Sequence, residues 1–266
     1  MNETEQMLTA ILNCRRDELH LNKLSLTQSQ QHTFDTMKKR RKAGEPLQYI
    51  LGNCDFMGTL LKVDPRVLIP RPETEILVEK IQIQWRARKV EPLHILDLGT
   101  GSGNIAIVLA KYFINASVTA LDKSADAVAL AEENARDHKL TERIRFICGD
   151  MQNFLNRQMN PDEKFDMIVS NPPYIRTKDM NTLPDDVKQE PVMALDGGAD
   201  GLDFYRMIVS QAGDFLNPNG MIYFEIGDGQ FPAVQRMFQD TNSFDNVAVI
   251  KDYRETERII SAQVSA

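Results

Sequence analysis

The chain has 266 residues, of which 42% are hydrophobic and 26% charged, and its formal net charge is −7. No apolar run approaches the roughly 18 residues that a membrane span requires, and the acidic balance disfavours a protein that holds nucleic acid over a long footprint, because phosphate contacts need clustered Lys and Arg. The length predicts one large domain with a small appendage. The polar, acidic segment Met1–Gln6 lacks the basic start and apolar stretch of a secretory signal, so we expect a cytoplasmic protein.

The N-terminal part has the apolar spacing of helices. This spacing covers residues 1–45, with a second run from about Thr27, and Gly44-Glu45-Pro46 is expected to end it. Residues 46–71 break into short segments, which predicts a hairpin linker. The main domain is then expected over residues 72–266.

This main domain alternates between helices and short apolar strands. A first helix is predicted from Arg71-Pro72-Glu73-Thr74-Glu75 to about Lys89, since proline and acidic residues favour a helix's first turn. The predicted strands are His94–Leu98, Ser117–Asp122, Ile144–Cys148, Phe165–Ser170, Met221–Ile226 and a terminal antiparallel pair, Val247–Ile250 with Ile259–Gln263. The further helices are Asn104–Phe113, Ala125–Lys139, Asp203–Leu216 and Phe231–Phe238. This alternation predicts an α/β fold with a mainly parallel sheet covered on both faces.

Two other features have simple structural interpretations. Cys14, Cys54 and Cys148 are scattered and odd in number, which argues against a disulfide framework and a zinc site and favours reduced core residues. The basic run over residues 38–42 is interpreted either as a solvated helix end or as a docking patch for a partner.

The strand His94–Leu98 leads directly into a glycine-rich turn. Asp97 precedes Gly99-Thr100-Gly101-Ser102-Gly103, where glycines let the main chain bend tightly and leave room for a ligand. The next strand ends in Asp122, whose carboxylate can accept the hydroxyl protons of a ribose. A dinucleotide enzyme would show G-x-G-x-x-G, whereas the spacing here is G-x-G-x-G. The turn resembles the first motif of class I methyltransferases, which implies that it wraps the methionine and ribose moieties of S-adenosylmethionine.

The segment Asn171-Pro172-Pro173-Tyr174 directly follows another apolar strand. The two prolines fix their φ angles and remove two backbone donors, so the exposed groups are carbonyl oxygens. An amide or aromatic amino nitrogen is a poor nucleophile, and it needs acceptors that take its N–H protons and aim its lone pair at a methyl group. The Asn171 side-chain oxygen and the Pro172 carbonyl can do this, while Tyr174 stacks on the planar group. A loop that merely ends a strand is the alternative interpretation.

Together these blocks resemble the release-factor glutamine methyltransferases (PrmC/HemK family). The resemblance spans nearly the whole chain and is carried by Glu45–Gly52, Val67–Glu75, Asp97–Gly103, Ile168–Ile175, Gly201–Tyr205 and Glu225–Gly227. Two features depart from the family pattern: the helical leader is short, and the turn between Asp252 and Arg258 lacks a glycine.

The resemblance implies a seven-stranded, Rossmann-like class I methyltransferase domain with a small N-terminal helical domain for substrate docking, joined by a β-hairpin. It implies a binding site for S-adenosylmethionine, converted to S-adenosylhomocysteine, that is formed by Asp97, Gly99–Gly103, Asp122, Asp150, Met151 and Asn171. From the residues alone, Asp150 and Met151 are equally compatible with an ordinary turn and a gap-filling side chain. The implied substrate is the glutamine of the Gly-Gly-Gln motif in peptide-chain release factors, bound on residues 171–174, with no metal, membrane or nucleic-acid partner.

Three alternatives are open at this point. An adenine amino-methyltransferase uses the same Asn/Asp-Pro-Pro-aromatic surface, but it predicts a basic cleft and a target-recognition domain, and a duplex substrate would need base flipping. A glutamine methyltransferase acting on a ribosomal protein would share the chemistry. A binding module that has lost catalysis would usually have an altered residue at Asp97, Asp122 or Asn171, and all three are intact.

Overall fold

The computed structural model describes residues 2–21, 25–157 and 163–265. The predicted N-terminal helices are confirmed as α1 Glu3–Leu12, α2 Arg16–Leu21 and α3 Gln28–Lys42. Asn2 and Thr27 cap α1 and α3, each in a reciprocal capping box that satisfies helix N–H groups at the first turn. The predicted break at Gly44-Glu45-Pro46 is confirmed, since α3 ends at Lys42 and Gly44 has a left-handed φ of 92°. A further short helix that was not predicted, α4 Leu47–Leu51, begins directly after Pro46.

The basic run forms the last turn of α3, where cations suit the helix dipole. Arg41 Nη2 lies 2.8 Å from Glu3 Oε1 and so links α3 to α1, while Arg40 pairs with Glu45. These contacts favour the interpretation of this run as a solvated helix end. The docking-patch interpretation stays a prediction.

The hairpin linker is confirmed as β1 Asn53–Phe56 and β2 Thr59–Lys62, which pair antiparallel. It is anchored to the main domain by Asn134, whose Oδ1 accepts the Lys62 N–H at 2.8 Å and whose Nδ2 donates to the Lys62 carbonyl at 3.1 Å. The domain boundaries at residues 45 and 71 stay predictions.

A seven-stranded sheet forms the centre of the main domain. Its strands are β3 His94–Leu98, β4 Ser117–Asp122, β5 Ile144–Cys148, β6 Phe165–Ser170, β7 Leu216–Glu225, β8 Phe244–Lys251 and β9 Glu257–Val264, in the order β5-β4-β3-β6-β7-β9-β8. The pairs from β5 to β7 are parallel, and β9 runs antiparallel to both β7 and β8. The predicted sheet type and the terminal antiparallel pair are confirmed.

Helices cover both faces of this sheet. They are α5 Pro72–Gln84, α6 Asn104–Tyr112, α7 Ala125–Asp137, α8 Met151–Leu155, α9 Asp203–Val209, α10 Ala212–Phe215 and α11 Phe231–Thr241. Successive side chains of a strand point to opposite faces, so Ile95 belongs to one buried cluster and Leu96 to the other. The sheet and its helices thus form a three-layer α/β structure with a buried cluster on each face of the sheet, and a third, smaller cluster joins the linker region to α7.

Two predicted helices are too long. The first ends at Gln84 and a 3₁₀ turn, Arg86–Arg88, replaces its last part. The predicted helix Asp203–Leu216 is interrupted because the Ser210 hydroxyl donates to the Met207 carbonyl at 2.9 Å, a local bond that competes with helical pairing, and Leu216 already belongs to β7.

The turn that lacks a glycine is built another way. Glu255 takes the left-handed conformation with φ of 63°, at a cost of about 1–2 kcal/mol for a residue with a Cβ atom. The Asp252 carboxylate accepts the N–H groups of Arg254 and Thr256 at 2.8 and 3.0 Å, which offsets that cost.

The cysteines and the expected absence of a membrane span are the remaining predictions for the fold. All three thiols are free, but Cys148 is exposed, so its assignment to the core is wrong. Within the described ranges, no helix has the length and apolar character needed to cross a membrane.

Candidate active site

The candidate site lies where the order of the parallel strands reverses. β3 is flanked by β4 and β6, and the register aligns Leu98 with Leu121 on one side and with Ser170 on the other. Because the carboxyl ends of parallel strands share an edge, the glycine turn, Asp122 and Asn171 meet at this edge. Such a reversal opens a crevice in which α/β proteins bind ligands.

The glycine turn is held by hydrogen bonds to the end of β4. The N–H groups of Gly99 and Thr100 donate to the Leu121 carbonyl at 2.8 and 3.0 Å, and the Gly101 N–H donates to Asp122 Oδ2 at 2.9 Å. Gly99 has a φ of 77°, and a Cβ atom there would lie 2.9 Å from the Met151 methyl carbon. The left-handed φ favours glycine here, and the absence of a side chain leaves the wall of the crevice at Gly99 as bare main chain.

Asp97 lies beneath this turn and has no exposed surface. Its Oδ2 accepts the Thr100 hydroxyl at 2.7 Å, and burial raises its pKa to about 7 although this hydrogen bond opposes the shift. Thr100 and Ser102 are also buried, with 2% and 1% of their surface exposed. The bond between Asp97 and Thr100 stabilises the turn from inside, whereas the buried Ser102 hydroxyl has no hydrogen-bond partner among the described residues.

Asp97→Asn is expected to remove part of the pH dependence of stability. A carboxyl whose pKa is raised in the folded state contributes stability at acid pH that is lost as the pH rises from its unfolded pKa, 3.8, through its folded pKa of about 7. Between about pH 5 and about pH 8 this loss is about 3 kcal/mol. Urea unfolding of both proteins at these pH values measures it, and an equal pH dependence in the two would contradict the prediction.

Asp122 and Asp150 face the crevice from two strand ends. Asp122 Oδ1 accepts the Ser124 N–H at 2.9 Å, so each oxygen of Asp122 holds one backbone donor and keeps a lone pair, and burial raises its pKa. Asp150 caps α8 by accepting the Gln152 N–H at 2.9 Å, a structural role that the sequence interpretation missed. The ammonium of Lys123, 3.0 Å from Asp150 Oδ2, lowers the pKa of Asp150.

The turn Asn171–Tyr174 is held by hydrogen bonds to two other segments of the chain. The Gln230 Nε2 donates to the Tyr174 carbonyl at 3.0 Å, and the Ile175 N–H donates to the Leu195 carbonyl at 2.9 Å. A Cβ atom at Gly197 would lie 2.6 Å from the Pro173 carbonyl oxygen, which a side chain could not displace cheaply because it is backbone. Gly197 and Gln230 are functional candidates that the sequence did not indicate.

The Asn171 side chain is part of a buried hydrogen-bond chain. Its Nδ2 donates to Thr74 Oγ1 at 3.0 Å, and the Thr74 hydroxyl donates to Glu225 Oε2 at 2.6 Å. The Tyr174 hydroxyl donates to Glu225 Oε1 at 3.3 Å. Sequence interpretation missed Thr74 and Glu225, although both lie in blocks that carry the family resemblance.

Two cavities meet at Asn171. The larger has a volume of about 680 Å³ and is lined by the predicted site residues Gly99, Asp122, Asp150, Met151, Asn171 and Pro173. The smaller, about 90 Å³, is lined by Asn171, Pro172 and Tyr174 together with Leu68 and Arg71. The predicted residues that do not line either cavity are Asp97, Thr100, Gly101, Ser102 and Gly103. In the part of the chain that the structure describes, no group of three or more His, Cys, Asp or Glu side chains is placed to hold a metal ion.

Comparison with known proteins identifies the family. A family model described as a methyltransferase domain matches residues 89–259, and one described as the PrmC N-terminal domain matches residues 1–52. The release factor glutamine methyltransferase of Thermodesulfovibrio yellowstonii is 37% identical over all of this chain and 93% of its own length. That of Geobacter sulfurreducens is 40% identical over 98% of this chain and 89% of its own length.

The chain belongs to the release factor glutamine methyltransferase family. The chain is therefore an S-adenosylmethionine-dependent protein-glutamine N-methyltransferase, as its residues indicated. A methyltransferase from Pyrococcus furiosus, with a TM-score of 0.53 and 18% identity over 89% of this chain and 98% of that one, shares the fold.

The larger cavity fits the methyl donor of this methyltransferase family. Bare main chain at Gly99 lets a ligand approach the turn closely, and the Asp122 carboxylate keeps acceptor positions of the kind that ribose hydroxyls require. An apolar wall formed by Met151, Phe204 and Met207 adds a surface for a flat ring.

Proposed function

We propose that this enzyme transfers a methyl group from S-adenosylmethionine to the side-chain amide nitrogen of the glutamine in the Gly-Gly-Gln motif of a peptide-chain release factor. The observation that carries the proposal is the position of Asn171 at the junction of the two cavities, with its Nδ2 bonded to Thr74. The names of the relatives, which are release factor glutamine methyltransferases, support this substrate.

In this proposal the methyl donor occupies the larger cavity. Gly99 would hold it through main chain, Asp122 would accept ribose hydroxyls, Met151 would pack on the adenine and Asp150 would lie near the exocyclic amine. Asp97 and Thr100 would act from beneath, by shaping the turn. When bound, the donor supplies a methyl group on a positively charged sulfur, which is reactive without further activation.

The glutamine side chain would enter through the smaller cavity, lined by Asn171, Pro172 and Tyr174. Asn171 Nδ2 donates a hydrogen bond to Thr74 Oγ1, so Asn171 Oδ1 is left to accept one N–H of the substrate amide. The Pro172 carbonyl would accept the other N–H. Held in this way, the substrate nitrogen would face the methyl group that the donor supplies, and its surplus proton would pass to water after the methyl group has moved from sulfur to nitrogen. Catalysis comes from orientation and polarisation, with no covalent enzyme intermediate.

The charges of the smaller cavity, in which the acceptor would lie, favour a protein substrate over nucleic acid. Its lining includes the cation Arg71, whose Nη2 lies 2.6 Å from Glu190 Oε2. This cation is therefore already paired with a carboxylate. A nucleic-acid site would instead need cations free to meet phosphates.

The three predicted parts of the chain would have separate tasks. Residues 1–45 would bind the release factor, and residues 46–71 would connect this part to the main domain. Residues 72–266 would bind the methyl donor and catalyse the transfer. An enzyme that modifies a translation factor would work in the cytoplasm.

The test is mass spectrometry of a purified release factor after incubation with this protein and S-adenosylmethionine, beside Asn171→Ala. We expect a single methyl increment on the Gly-Gly-Gln glutamine that is absent with the variant. An increment on another residue, or none while the protein still binds the cofactor, would contradict the proposed substrate and turn attention to a ribosomal protein or to adenine.

A further inference from the structure

We propose that Thr74 and Glu225 are positioning residues that decide which atom of the Asn171 amide faces the substrate. The proposal rests on the proposed function, in which Asn171 must present its oxygen and not its NH₂ group to the substrate nitrogen. An asparagine amide has nearly the same shape in its two flipped orientations, so shape alone does not select one.

The selection follows from counting hydrogens. Thr74 has one hydroxyl hydrogen, and it donates that hydrogen to Glu225 Oε2 at 2.6 Å. The Thr74 oxygen can then only accept, so the group of Asn171 that lies 3.0 Å away must be the NH₂ group. The opposite orientation would place two oxygens together without a hydrogen between them, and a buried pair of that kind is costly.

The same carboxylate holds both ends of the Asn-Pro-Pro-Tyr turn. Glu225 is the last residue of β7, next to the strand that ends before Asn171, and its second oxygen accepts the Tyr174 hydroxyl at 3.3 Å. Its backbone carbonyl accepts the Tyr205 hydroxyl at 2.9 Å. Thr74 and Glu225 are each 1% exposed, so water does not compete for the hydrogen bond between them.

Burial and the nearby Glu73 raise the pKa of Glu225, the hydrogen bonds from Thr74 and Tyr174 and the charge of Arg258 lower it, and the net pKa is about 7. We therefore place the assays at about pH 8, where Glu225 accepts from both hydroxyls.

The experiment compares Thr74→Val with Thr74→Ser in the full chain. Valine has nearly the shape of threonine but no hydroxyl, whereas serine keeps the hydroxyl and loses a methyl group. We expect Thr74→Val to lower kcat for release-factor methylation by about 20-fold, because it removes one hydrogen bond from a network that includes a carboxylate. KM for S-adenosylmethionine should stay within about twofold of wild type. Thr74→Ser should keep kcat within about threefold, although its missing methyl group lowers stability.

A second readout needs no substrate. The side-chain ¹⁵NH₂ resonance of Asn171, assigned by its loss in Asn171→Asp, should move in Thr74→Val and stay near its wild-type position in Thr74→Ser. A purely structural role of Thr74 would instead lower kcat in both variants in step with their melting temperatures, and that result would overturn the proposal.

The two readouts separate the possible failures. An Asn171 resonance unchanged in Thr74→Val, or a kcat unchanged in that variant, overturns the positioning role. A wild-type protein that methylates no release factor, with a resonance that still moves in Thr74→Val, contradicts the proposed substrate and supports the positioning of Asn171.

Discussion

Asn171→Ala is expected to lower kcat for glutamine methylation by about 100- to 1000-fold, the range seen when one group that stabilises a transition state is removed. The alanine removes the oxygen that would accept a substrate N–H and leaves Thr74 Oγ1 without the donor it has at 3.0 Å. Single-turnover assays with saturating release factor and S-adenosylmethionine measure the chemical step separately from binding.

Asn115→Ala is a matched control for this change. Asn115 is exposed and lies before β4, at the opposite edge of the sheet, where its Nδ2 donates to the Val90 carbonyl at 2.7 Å. Its kcat should equal that of the wild type. If Asn171→Ala were as active as Asn115→Ala, the assignment of Asn171 to catalysis would be wrong.

Asp122→Ala is expected to weaken binding of S-adenosylmethionine by about 100-fold. The substitution removes an acceptor for ribose hydroxyls, and hydrogen bonds to a charged group are worth about 1.5–3 kcal/mol each. It also releases the Gly101 N–H from its bond of 2.9 Å, so the glycine turn loses support. Isothermal titration calorimetry with S-adenosylhomocysteine measures the loss without turnover.

The control for the cofactor prediction is Asp137→Ala on α7. Asp137 pairs with Lys62 at 2.9 Å on the exposed surface, so its loss changes the net charge equally but leaves the crevice unchanged. Its affinity for S-adenosylhomocysteine should match wild type. Equal affinities in Asp122→Ala and Asp137→Ala would remove Asp122 from the proposed cofactor site.

The sequence predicted those parts of the fold that local patterns determine. Strand His94–Leu98 was predicted to the residue because a run of apolar side chains ends at a glycine turn, and both signals are local. The helix predicted over Asp203–Leu216 was wrong because its interruption depends on a Ser210 hydroxyl bond, which apolar spacing does not reveal. Boundaries set by such side-chain bonds need coordinates.

Some residues of the candidate site could likewise be predicted from the sequence, and others could not. Asn171 and Asp122 could be predicted because each follows a strand and has a side chain suited to a defined task. Thr74 and Glu225 could not, since they are separated from each other by 151 positions and only the packing of α5 against β7 brings their oxygens to 2.6 Å. Gly197 was missed for a related reason: its close approach to Pro173 is a contact between two loops.

The meeting of the two cavities at Asn171 has a consequence for the order of events. The donor space and the acceptor space share Leu68, Asn171 and Ala194 and otherwise have separate walls. Each reactant would therefore have, under the proposed function, its own lined space beside Asn171. Under the proposed function, the cofactor and the protein substrate can arrive in either order and form a ternary complex, in which the methyl group passes directly from one reactant to the other and the enzyme itself is never methylated.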